Sequence, residues 1–136
     1  MLFSKNNDKN NDLIKVSALL IHAAKIDQSY SIKEKEIIEQ AIFKLGADSK
    51  DIKKIIEDSE KIEENANQIL EFTQEIKKMS DDEKIKIIET LWQIIYSNKE
   101  ADMYETSLMR RLTGLLYIDA KVMSDLKEKI KKELKK

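Results

Sequence analysis

Residues 18–26 read "ALLIHAAKI", a run that is apolar on almost every side of a helix. A helix exposed on one face alternates apolar and polar residues at spacings of three and four. One apolar all round belongs in the centre of a domain. This segment therefore predicts a central helix, expected over Asp12 to Ile26, with other helices packed around it. The chain has no proline, only Gly46 and Gly114, and abundant Ile, Leu, Lys and Glu. So little backbone punctuation, with no strand pattern anywhere, predicts an all-α protein.

Outward from that centre, the remaining elements follow from caps and stripes. "SIKE" at Ser31–Glu34 is a capping box, in which the serine hydroxyl and the glutamate serve each other's free amides. Ile37, Ile38, Ala41, Ile42 and Leu45 continue it as a helical stripe that Gly46 ends. Asp48 is placed to cap a third helix carrying Ile52, Ile55 and Ile56. A fourth carries Ile62, Ala66, Ile69, Thr73 and Ile76, with the break between the two expected near Asp58–Glu60. "SDDE" at Ser80–Glu83 is a second capping box, leading to Ile88, Leu91, Trp92 and Ile95. "DMYE" at Asp102–Glu105 repeats the logic before Leu108, Leu112, Leu115 and Leu116. Asp119 then caps a last helix with Val122, Leu126, Ile130 and Leu134. The expectation is about seven helices in a single compact bundle over residues 11–136. Residues 1–10, rich in Asn, Lys and Asp, are expected to be a disordered tail.

Two segments share one plan. Residues 18–48 and 89–119 align without a gap: Leu20 with Leu91, Glu34 with Glu105, Leu45 with Leu116, Asp48 with Asp119, all 71 apart. Each reads as a helix, a short polar loop, a capped second helix and an Asp cap. Two repeated helical hairpins joined by the middle helices are the expected architecture; a solenoid needs three or more stacked units.

Composition narrows function by exclusion. Charged residues make up 38 % of the chain, well above the usual quarter, but both signs are interspersed and the net charge is −1. That pattern predicts no nucleic-acid binding, which needs a basic face. With no cysteine, thiolate chemistry and disulfides are absent. No apolar run reaches the ~20 residues of a membrane span, and "MLFSKNNDKNND" has no signal-peptide core, so the expected location is the cytoplasm. No serine sits in a Gly-rich nucleophile turn, and nothing pairs a nucleophile with a base, so no enzyme is expected.

The chain resembles the TerB-like family, helical bacterial proteins associated with tellurite resistance and stress response. The likeness spans roughly Leu13 to Lys127 and is carried by "ALLIHAAKID", "LWQIIYSNKEADMYE" and "LMRRLTGLLYIDAKV". The family's inter-helix loops have an Asp-Gly step, then an acidic or hydroxyl residue, then Glu. Here those positions are Asp27, Ser31 and Glu34, and Asn98, Asp102 and Glu105. Gln28 and Lys99 replace the family's glycines, and Asn98 replaces an aspartate. The resemblance implies a stress-associated helical module with a divalent cation (Ca, Mg, Mn or Zn) held by Asp27, Glu34, Asp102 and Glu105.

The residues themselves support a plainer alternative, a metal-free protein–protein interaction domain in which these acids only start helices. Neither loop is an EF-hand: counting from Asp27, the sixth-position glycine is Ile32 and the twelfth-position glutamate is Ile38. Capping is worth ~0.5–2 kcal/mol, and the helix dipole favours acids at a helix start. Arg110 and Arg111 are the only arginines and suit bidentate pairing with Asp102 or Glu105. His22, the only histidine, reads as a packed core or boundary residue, and Trp92 and Tyr96 as core. The tail "KEKIKKELKK" reads as a docked helix with solvated lysines.

Overall fold

The computed structural model describes residues 2–26, 30–97 and 103–134, with side chains from Lys9 onward in the first helix and from Glu105 onward in the sixth. Among these residues there are seven α-helices and no strand: α1 Leu2–Lys25, α2 Ile32–Lys44, α3 Ile52–Asn65, α4 Leu70–Ile76, α5 Asp81–Tyr96, α6 Met103–Leu115 and α7 Ala120–Leu134. A 3-10 turn, Ser49–Asp51, precedes α3.

The apolar segment of α1 is indeed central. Val16, Leu19, Leu20 and Ile21 are fully buried, and Ala23 and Ala24 nearly so. α1 packs against α2, α3, α4 and α5, so no side of it from Leu13 to Ala24 is left wholly to water. α5 is the second axis, packed on α1, α2 and α7, with Ile87, Ile88, Leu91, Ile94 and Ile95 inside. Each such side chain contributes roughly 1.5–3 kcal/mol on burial. One buried polar side chain joins two helices. Ser59 Oγ of α3 reaches the Ile55 carbonyl at 2.6 Å and the Ile14 carbonyl of α1 at 3.1 Å, stitching the two helices together.

Three boundaries differ from expectation. α1 extends back to Leu2, through residues expected to be a disordered tail. Once a helix is nucleated downstream, each added residue gains a backbone bond at little further cost. α3 runs unbroken through Asp58–Glu60 and stops at Asn65, because buried Ser59 continues its inner stripe. The chain then turns through Ala66, extended at φ −81° and ψ 142°. Asn65 and Asn67 favour that exit, since their side chains compete for backbone bonds. Asp48, finally, offers no side-chain cap; the 3-10 turn closes instead with the Asp51 amide donating to the Asp48 carbonyl at 2.9 Å.

The capping boxes form as expected. Ser31 and Ser80 each accept from the amide three residues on, while Glu34 and Glu83 accept from the serine amides. Asp119 Oδ1 accepts from the Lys121 amide at 2.9 Å. Asp102, the cap expected for α6, lies outside the described residues.

Local geometry recurs at the offset of 71. α2 and α6 span 13 residues each and begin at Ile32 and Met103. Both end in the same double hydrogen bond. Gly46 and Ala47 amides donate to Phe43 and Ile42 carbonyls, and Tyr117 and Ile118 amides to Gly114 and Thr113 carbonyls. That closure needs a left-handed residue. Gly46 supplies it at φ 109°, but the second turn uses Tyr117 at φ 56°. A non-glycine residue held there costs about 1–3 kcal/mol.

Tyr117 is 76 % exposed, so its ring returns little of that cost through burial. Tyr117→Gly should therefore raise the thermal midpoint by a few degrees, at about 1 kcal/mol or more. A calorimetric scan showing a lower midpoint would mean that the ring holds the turn together.

Candidate functional site

The start of α2 gathers more ionisable groups than any segment read in isolation suggests. Ser31 is extended at φ −86° and ψ 166°, its amide donates to Glu34 Oε1 at 2.8 Å, and the Glu34 amide donates to Ser31 Oγ at 3.1 Å. Glu83 makes the same box at α5 but stays part-exposed. Glu34 is 2 % exposed. The cap is the same; only the surroundings differ, because α2 starts against α1 and α3.

α3 presents two further carboxylates to this corner. Glu63 pairs with Lys25 Nζ at 2.7 Å and with His22 Nδ1 at 3.4 Å, both from α1. Glu60 pairs with Lys35 Nζ of α2 at 3.7 Å. Beside Glu60 sits Tyr30, half-buried, whose phenol is pushed well above its ordinary value of 10.0. Burial is the largest cause, followed by the Glu60 carboxylate, then Glu39 and Glu34. His22 is a boundary residue as expected, on the α1–α3 seam with an acidic neighbour.

The start of α6 is built differently. Glu105 is 4 % exposed. Its charge, after burial and the Glu128 carboxylate, raises the Tyr96 phenol. Tyr96 stacks on Trp92 at 5.8 Å between centroids, and both are buried as expected of core. α7 caps this pair with cations: Lys127 Nζ lies 5.7 Å from the Trp92 ring and Lys131 Nζ 5.8 Å from the Tyr96 ring. These two lysines are thus cation–π partners, where the sequence suggested only solvated charge. Lys129 adds an ion pair to Glu89 at 3.2 Å.

Of the four residues expected to hold a cation, Glu34 and Glu105 are described and both are buried, while Asp27 and Asp102 lie outside the described residues, as does Asn98. Among the described residues, no three His, Asp or Glu side chains converge as a metal site. Arg110 and Arg111 are exposed and make no ion pair with a described residue, so the expected pairing with Glu105 is not formed. Sequence reasoning missed Glu60 and Glu63. Nothing in their spacing marks Glu60 as the partner of Lys35 on α2 or Glu63 as the partner of Lys25 and His22 on α1.

α2 also carries an outward apolar face. Ile32 and Phe43 are 80 % and 55 % exposed; eleven residues apart, they share one side of the helix with Glu36 and Glu39. Phe43 borders a hollow of about 450 Å³ shared with Ile52, Gln40 and Lys53.

The described residues form a helical bundle with two buried carboxylates, Glu34 and Glu105, near the starts of α2 and α6. The family model of tellurite resistance protein TerB matches residues 13–128, most of the chain, and the chain belongs to that family. No curated protein and no solved structure matches it significantly.

The raised Tyr30 phenol sets an alkaline limit. The folded chain holds the proton more tightly than the unfolded one, so this contribution is intact below about pH 10 and is lost as pH rises towards the folded value. Tyr30→Phe should lessen the loss of stability in denaturant melts above pH 10. An unchanged alkaline profile would mean that the phenol titrates freely.

Proposed function

We propose that this chain acts as a non-enzymatic, cytoplasmic protein-interaction module of the tellurite-resistance and stress-associated class, built from two related hairpins. Family membership supports the class. The observation that carries the interaction reading is the outward face of α2, where two large apolar side chains, Ile32 and Phe43, stand in solvent on one side of a helix whose opposite side is core. Large apolar residues aligned on one exposed face mark contact surfaces more often than scattered ones do.

The test is capture of partners on immobilised protein from a stressed cell lysate, with Ile32→Asp/Phe43→Asp as the comparison. Both positions are exposed, so circular dichroism should show the variant folded. It should lose the specific partners. An identical set of captured proteins with both baits would sink the reading.

A second reading, a divalent cation at the inter-helix loops, is favoured by one observation. Helix capping does not require a buried carboxylate, as part-exposed Glu83 demonstrates, yet Glu34 and Glu105 are both buried at corresponding positions. In this reading they serve with Asp27 and Asp102 as ligands for Ca²⁺, Mg²⁺, Mn²⁺ or Zn²⁺. Cation present at about 100 times its dissociation constant adds ~2.7 kcal/mol. Chelator-treated protein should then melt several degrees higher with one of the four, and the gain should vanish in Asp102→Ala/Glu105→Ala. No shift with any cation leaves the four acids as helix-start residues alone.

A further inference from the structure

We propose that a second copy of this chain docks on the hollow between the C-terminal half of α2 and the start of α3, about a two-fold axis beside Phe43, an assignment that rests on the reading of α2's outward face as a contact surface. The hollow measures about 450 Å³, within the range of ligand-sized clefts, roughly 300–1,000 Å³. Phe43, 55 % exposed, and half-buried Ile52 are its apolar lining. The phenyl ring is thus both a wall of one hollow and a projection able to enter another.

Charge selects the occupant. Glu39 of α2 lines the hollow together with Lys44 of α2 and Lys53 of α3. None of the three forms an ion pair with a described residue, and they do not pair with one another. A purely basic segment laid here would answer Glu39 and crowd both lysines; a purely acidic one would do the reverse. A two-fold-related copy brings both signs at once. An axis set between Glu39 and the lysines places the acid of each chain against the bases of the other, twice over.

The apolar and charged parts have different tasks. Ion pairs at an exposed rim add little affinity, so theirs is to fix orientation and reject other arrangements. Affinity comes from taking Phe43 and Ile52 out of water in both copies, as aromatic side chains do at contact surfaces. The net charge of −1 sets up no long-range repulsion between copies. A two-fold contact uses this face once per chain, so the assembly closes as a dimer.

The experiment is sedimentation equilibrium of the full chain from micromolar to millimolar concentration, which should show a reversible monomer–dimer equilibrium. Phe43→Asp should raise the dimer dissociation constant by about tenfold or more, with an unchanged circular dichroism spectrum. Glu39→Lys and Lys44→Glu/Lys53→Glu should each weaken self-association by about tenfold, because each sets like charges face to face. An equimolar mixture of those two charge variants should recover the dimer, which general destabilisation of either chain would not allow. A chain monomeric at every concentration, a dimer indifferent to Phe43→Asp, or charge variants that do not rescue one another would each overturn the proposal. A monomer that still captures other proteins through Ile32 and Phe43 would overturn the second copy alone and leave the contact surface standing.

Discussion

The burial of α1 is the constraint on which the rest depends. A helix enclosed by four others cannot tolerate an exposed charge or an unpaired backbone group along its inner length. Every neighbour must therefore bring an apolar stripe of matching length. α3 answers with Ile55 and Ile56, α4 with Phe72 and Ile76, α2 with Ile38 and Ile42, and α5 with Ile87, Leu91 and Ile94. Buried Ser59 bonds the Ile14 carbonyl of α1, whereas the Ser17 hydroxyl of α1 itself is buried without a hydrogen-bond partner among the described residues. Without the apolar run at 18–26 these stripes would have nothing in common to cover.

Charge is correspondingly driven to the helix starts and seams. At the α1–α2–α3 corner, Glu60 and Glu63 are held by Lys35, Lys25 and His22 while Tyr30 remains neutral among carboxylates. At the α5–α7 seam the balance is struck by lysines over aromatic rings instead. The two corners solve one problem, closing a helix start against the core, by different chemistry. The surroundings of α2 and α6 therefore differ although both helices span 13 residues and end in the same pair of hydrogen bonds. α2 leaves Ile32 and Phe43 outward, while the turn after α6 leaves Tyr117 exposed beside a hollow lined by Ile85, Ile118 and Val122.

Much of the fold was legible because helix caps and stripes are local. The boxes at Ser31 and Ser80, the stop at Gly46 and the Asp119 cap each involve residues within a few positions of one another. The break between α3 and α4 was misplaced because no glycine or proline marks it; buried Ser59 carries the helix onward through a contact 45 residues distant in sequence. The helical start at Leu2 was missed for a related reason. Composition describes a segment alone, whereas helix propagation depends on the residues downstream of it.

For the candidate sites the division is sharper. By itself the sequence determined that the chain is helical and that α2 and α5 open on capping boxes, because these are matters of spacing along the chain. Tertiary structure alone decided that Glu34 is enclosed while Glu83 is not, that Glu60 pairs with Lys35 of α2, and that Glu63 pairs with Lys25 and His22 of α1. Exposure, pairing and the field at a titratable group are set by neighbours from other helices, and those neighbours exist only once α1 has been covered.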